Sequence, residues 1–290
     1  MSVTALLLVL GAAVAHAAWN VLAHGASRLG IPFLWCGAVV SAVLWAPAIP
    51  LTGGFGAADI AGFWWGVAVS AVLHVAYMLV LQRGYAVGNL STVYATARGT
   101  GPLLAVVAAI VLLGERPPLH ALVGVGAIIV GVVGIGVIDR PPTAATRRRI
   151  DPGVLFGLLT GVAIAAYTIW DAHAVRSWGA PPVAFMVGCT ALEAVLFSVM
   201  LLVRRRHREV LTVARQVWPR LLAFGVLSPL SYILVLTAIT LAPVALVAPL
   251  REVSVVLVSL FGAFVLRETR PGWRVTASAL VAGGIVLLAV

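Results

Sequence analysis

Five ionisable residues stand inside long apolar stretches of this chain: Arg98, Asp171, Glu193, Arg251 and Glu252. An arginine at the centre of a bilayer costs roughly 2.5–3.5 kcal/mol on insertion scales, so it faces a partner or a polar cavity. The planar forks of Arg98 and Arg251 suit a carboxylate or a phosphate. Asp171 and Glu193 are the candidates to bind an amine or a coupling proton. The alternative is that these charges pair with each other and hold helices together. For Glu252, such pairing is the expected role.

Uncharged polar residues accompany them at helical spacing. His16, Asn20, His24 and Ser27 recur at steps of four, four and three, which is one helical face, and Trp19 adjoins it. Tyr167, Trp170 and Asp171 repeat that pattern further on. Ser70, His74 and Tyr77 share a face, as do Ser228 and Tyr232, and Tyr94 and Arg98. Such stripes either line a cavity or hydrogen-bond between helices, which gives membrane helices modest stability. The candidate substrate-binding set is therefore His16, Trp19, Asn20, His74, Tyr77, Tyr94, Arg98, Tyr167, Trp170, Asp171, Tyr232 and Arg251. Asp171 and Glu193 are the coupling candidates.

The elements that must position these residues are membrane spans. The 290 residues are 62% hydrophobic and 10% charged, with mean hydropathy +1.11. A soluble domain is about half apolar and about a quarter charged. Apolar runs of about 20 residues match a bilayer core of about 30 Å, and none shows the ten-residue alternation of a barrel. Ten spans are expected, near 3–23, 31–51, 61–82, 90–113, 118–138, 153–175, 182–203, 219–240, 243–266 and 272–290. Ala15-His16-Ala17 resembles a signal-peptidase site, but no positive segment precedes it, so the first run reads as a retained helix. Cys36 and Cys189 both fall inside spans and read as buried thiols, with no metal site or disulfide framework. No cofactor is implied.

The chain contains its own echo. Tyr77-Met-Leu-Val-Leu81 matches Tyr232-Ile-Leu-Val-Leu236, and His16-x-x-Trp19-Asn20 matches Tyr167-x-x-Trp170-Asp171 in spacing. Arg98 stands seventeen residues before Glu115, and Arg251 seventeen before Glu268. The fold class expected is an all-α integral membrane protein of ten transmembrane helices in two five-helix repeats. The first repeat covers 1–140 and the second 152–290, joined by an Arg-rich linker at 141–151. Five helices per repeat force the second to insert upside down, and such inverted repeats place a site near the midplane.

The net charge of +10 comes from nineteen Arg and no Lys. The arginines cluster between spans, which points to topology and anionic lipid rather than nucleic acid. Loops after spans 1, 3, 5, 7 and 9 hold fifteen of them, and loops after spans 2, 4, 6 and 8 hold only Arg116 and Arg176. The Arg-rich loops are expected in the cytoplasm, with both termini outside. Glu115 and Glu268 stand at helix ends before prolines and read as caps for the helix that follows each. Gly157-x-x-x-Gly161 and Ala127-x-x-x-Gly131 allow close helix contact. Pro102, Pro229 and Pro249 lie within spans and are candidate kinks.

These residues resemble the drug/metabolite transporter superfamily in its ten-helix EamA-type form. The resemblance rests on the paired repeats, on Val93-Tyr-Ala-Thr-Ala-Arg-Gly-Thr-Gly-Pro102 ending in Leu113-Gly-Glu-Arg116, and on His16-Ala-Ala-Trp19-Asn20. It covers essentially the whole chain. The second repeat departs from it: Leu-Gly-Glu becomes Leu266-Arg-Glu268, and Val255 stands in register with Pro102. The resemblance implies a secondary transporter of small organic solutes working by alternating access, often as an exporter. It also implies a cavity lined by spans 1, 3, 4, 6, 8 and 9, with spans 5 and 10 peripheral.

The function expected is export of a small metabolite such as an amino acid or related zwitterion across the inner cell membrane. Efflux of organic cations fits the aromatic residues with a carboxylate, and an organic-anion or sugar-phosphate carrier fits the arginines. An intramembrane lipid-modifying enzyme is the remote alternative. It lacks support from H-E-x-x-H, G-x-S-x-G or a paired acidic metal motif, so the chain reads as no enzyme. The partners expected are a small-molecule substrate and the bilayer. A monomer suffices, and a homodimer is compatible.

Overall fold

In hydrocarbon every backbone N–H and C=O must be satisfied within the chain, and a sequence of long apolar runs meets that demand with helices. A computed structural model of the chain shows this. It describes residues 1–22, 26–56, 58–88, 90–138, 152–264 and 271–289. The described residues form eleven α-helices. In the first half these are α1 (Val3–Leu22), α2 (Ile31–Trp45), α3 (Ile60–Val87), α4 (Leu90–Leu112) and α5 (Leu119–Ile138). In the second half they are α6 (Pro152–Ser177), α7 (Pro182–Val203), α8 (Glu209–Leu241), α9 (Val244–Arg251), α10 (Val253–Phe264) and α11 (Pro271–Ala289).

Among the described residues seven helical segments are long and apolar enough to cross a membrane: α1, α2 with the helical turn that extends it to Ala48, α3, α4, α6, α7 and α8. In α5 and α11 the apolar stretches are shorter, Leu119–Gly134 and Thr276–Leu288. The eighth and ninth spans differ from expectation. Helix α8 begins ten residues before the expected 219 and bends at Val217, whose backbone leaves helical geometry (φ −127°, ψ 25°) two residues before Pro219. A proline removes one helical N–H and crowds the carbonyl four residues back, so the bend falls just ahead of it. The ninth span is divided at Glu252 into α9 and α10. Its N–H turns back to the carbonyls of Pro249 and Leu250, and the Val255 N–H bonds the Glu252 carbonyl at 2.9 Å, a tightened turn. By contrast, α4 and α8 run through Pro102 and Pro229.

Packing repeats between the halves. α3 lies on α6 as α1 lies on α8, and α4 lies on α6 as α1 lies on α9 and α10. α2 meets α7, and α5 meets α11, so exchanging the halves carries each of these pairs into another or into itself. The small residues are used where expected. A Cβ at Gly157 would stand 2.6 Å from Thr96 Cβ, so only glycine lets α6 approach α4 this closely. Gly131 faces Val281 of α11 in the same way. Large apolar side chains such as Val111, Val130 and Val203 point outward, as a lipid-facing surface requires.

Candidate functional site

The break in the ninth span places three charges side by side. Arg98 of α4 donates from Nη1 to both carboxylate oxygens of Glu252, at 3.2 and 3.1 Å. Its Nη2 meets His16 Nε2 of α1 at 2.8 Å. Arginine has no acceptor, so this imidazole nitrogen accepts and the ring is uncharged. The guanidinium also sits over the Tyr94 ring, 5.2 Å from its centroid. Arg251, the last residue of α9, approaches the same carboxylate at 3.6 Å, too far for a hydrogen bond. All three charged side chains are buried, with exposures of 9% or less. Two guanidiniums thus share one carboxylate, a local excess of one positive charge.

A second cluster carries the opposite sign. Asp171 of α6 is buried and accepts a hydrogen bond at Oδ2 from Tyr232 of α8. Its Oδ1 has no hydrogen-bond partner, although the Ser70 hydroxyl acts on the carboxylate from nearby. His74 of α3 stacks on Tyr167, with centroids 4.2 Å apart, and meets Tyr232 edge-on at 5.4 Å. Tyr77 closes on Tyr167 at 5.6 Å. The His74 ring is oriented by Ser70, whose Oγ and carbonyl lie 3.2 and 2.9 Å from Nδ1. Glu193 of α7 is buried, interacts electrostatically with Asp171, and has no cationic partner among the described residues. Arg251 acts electrostatically on Asp171, Tyr167 and Tyr232, so the two clusters are within electrostatic reach of each other.

The expected residues therefore divide. His16, Tyr94, Arg98 and Arg251 gather around Glu252, while His74, Tyr77, Tyr167, Asp171 and Tyr232 form the second group. Asn20 instead bonds the His16 carbonyl of its own helix at 2.7 Å. Trp170 bonds the Gly66 carbonyl at 3.0 Å and meets Trp178, which ties α6 to α3. Trp19 packs on His16 and Phe224, and its Nε1 has no partner. His24 lies outside the described residues.

Two features were not read from the sequence. Ser254, with its Oγ buried and unpartnered, follows Arg251 by three residues; that spacing is its only signal. The other is the target of Glu115. Its carboxylate does not cap α5, the helix that follows, but accepts from the Val244 and Ala245 N–H groups of α9 at 2.8 and 2.9 Å. A turn at Gly114 (φ 66°) carries the chain away from α4, and Pro118 offers α5 no N–H. Arg176, at the end of α6, donates to Glu115 at 2.6 Å and to the carbonyls of Ile239 and Ala242. Its signal was its standing with Arg116 on the Arg-poor side. Glu268 lies outside the described residues.

A profile of the EamA-like transporter family matches residues 151–290. The second half of the chain belongs to that family. The family lies within the drug/metabolite transporter superfamily, and the chain is a multi-pass membrane protein of this transporter type. A solved structure described only as the crystal structure of a protein superposes with a TM-score of 0.73 over 99% of this chain and 96% of the other. At 17% identity it shows a shared fold. No match was found among curated proteins.

Proposed function

We propose that this chain is a secondary transporter that exports a small zwitterionic metabolite, of the amino-acid class, by alternating access between two inverted five-helix repeats. One observation carries the reading: a buried arginine and a buried aspartate, each with a polar atom that has no hydrogen-bond partner, both neighbour the same tyrosines, Tyr167 and Tyr232. A zwitterion satisfies both at once, whereas a simple cation or anion satisfies one. Arg251 takes the carboxylate end and Asp171 the ammonium end. Asp171 and Glu193 also serve as the coupling acids, since a proton and an ammonium can exchange at one acidic site. His74, Tyr77, Tyr167 and Tyr232 contact the side chain between the charges. The Arg-rich loops face the cytoplasm of the inner membrane and both termini lie outside.

Proteoliposomes containing the purified chain test this. Labelled L-phenylalanine and L-leucine should show saturable counterflow. Asp171→Asn should reduce it at least about tenfold, the loss of one charge-assisted hydrogen bond. Counterflow of neither amino acid, with robust counterflow of an organic cation such as tetraphenylphosphonium, would assign the acidic cluster to cation efflux instead.

A further inference from the structure

We infer that the break between α9 and α10 is the carboxylate subsite, built from Arg251 Nε, Ser254 Oγ and the first turn of α10, and that it selects a monoanion. The inference rests on the zwitterion reading and names where one end of the substrate docks. Arg98 is not part of this subsite. Its guanidinium is engaged by Glu252, His16 and Tyr94, and further contact would require breaking one of these.

Arg251 is less engaged. It is 5% exposed, its Nε has no hydrogen-bond partner, and its salt-bridge partner Glu252 stands at 3.6 Å. Ser254 is 1% exposed and its hydroxyl is also unpartnered. Glu252 between them keeps right-handed helical backbone (φ −70°, ψ −6°), so Arg251 and Ser254, three residues apart, lie on one face of the interrupted helix. The same point is the N-terminus of the twelve-residue α10, where first-turn N–H groups and the helix dipole favour negative charge. Two unpartnered buried donors, one turn apart, therefore stand at a helix start. Buried polar groups are rarely left without partners, so the place fits an acceptor ligand.

Charge sets the ligand's valence. Arg98, Glu252 and Arg251 together carry one excess positive charge. A carboxylate brings the cluster to neutrality. A phosphate dianion would overshoot by one charge in a buried setting, where an unbalanced charge is strongly disfavoured.

The test uses the full chain in detergent micelles and follows thermal unfolding with L-phenylalanine, L-phenylalaninamide and the aminophosphonate analogue of phenylalanine. Wild type should bind the amino acid at least about 30-fold more tightly than the amide or the phosphonate. In Arg251→Met the amino acid and the amide should become indistinguishable. The unfolding midpoint of the ligand-free variant should equal or exceed that of wild type, because the substitution removes an unbalanced charge and leaves the Arg98–Glu252 pair intact. Ser254→Ala should weaken amino-acid binding by about 5–10-fold, the loss of one hydrogen bond to a charged group.

A lowered midpoint in ligand-free Arg251→Met would make Arg251 a structural partner and overturn the inference. So would preserved discrimination in that variant, or tighter binding of the phosphonate by wild type. In these cases amino-acid binding by wild type would leave the zwitterion reading standing. Preference of wild type for the amide, or stabilisation by none of the three compounds, would remove both.

Discussion

The carboxylate of Glu115 joins the end of α4 to the start of α9, and its removal should cost more stability than removal of its arginine partner. Glu115 is 8% exposed and accepts two backbone N–H groups from α9. Truncation to alanine leaves both N–H groups without their acceptor, at about 1–3 kcal/mol each. Losing a negative charge at a helix N-terminus adds about 0.3–1 kcal/mol. The ion pair adds little, because Arg176 is 29% exposed and solvent screens it; under about 1 kcal/mol is expected. The total for Glu115→Ala is about 2–8 kcal/mol. Arg176→Ala leaves the α9 cap in place and loses hydrogen bonds to the carbonyls of Ile239 and Ala242. It should cost about half as much. Equilibrium unfolding in mixed micelles, followed by helical circular dichroism, measures both variants and the double mutant. A coupling energy under about 1 kcal/mol is expected from the cycle. If Glu115→Ala unfolds within 0.5 kcal/mol of wild type, or Arg176→Ala is the more damaging, the cap is not what holds α9.

Three further outcomes are expected. Arg98→Met should destabilise by about 3–5 kcal/mol, since it leaves the buried Glu252 with only Arg251 at 3.6 Å; unfolding in micelles should separate it clearly from Arg251→Met. Tyr232→Phe removes the hydrogen bond to Asp171 and should cost about 1.5–3 kcal/mol while lowering counterflow; unchanged stability and flux would detach Tyr232 from the site. An impermeant maleimide should label Ser177→Cys in intact cells and Arg205→Cys only after permeabilisation, against a low background because Cys36 and Cys189 are buried. The reverse pattern would invert the topology.

Much of the fold was legible because hydrocarbon enforces a simple rule. A run of about 20 apolar residues must form a helix, so the helical fold and the approximate limits of most helices follow from composition and punctuation. The buried charges were legible for the same reason: Arg98, Arg251, Asp171 and Glu193 are conspicuous where charge is costly. Gly157 announced its close contact, since its spacing from Gly161 along a helix is a local property. The break at Glu252 was harder to see. Pro249 marked a disturbance, but so did Pro102 and Pro229, through which their helices run. The difference lies in the buried carboxylate, which Arg98 of α4 holds from another helix and the adjoining Arg251 approaches at 3.6 Å.

By itself the sequence determined a helical membrane protein, its echoing halves, and the short set of polar residues available for a site. Only the tertiary structure decided their partners. It joined Arg98 to Glu252 across 154 positions of sequence, left Arg251 without a full partner, and sent Glu115 to α9 rather than to the adjoining α5. Periodicity specifies which face of a helix a residue occupies, because that depends on rotation per residue. Which charge meets which is decided by how separate helices pack, and that depends on contacts distant in the chain.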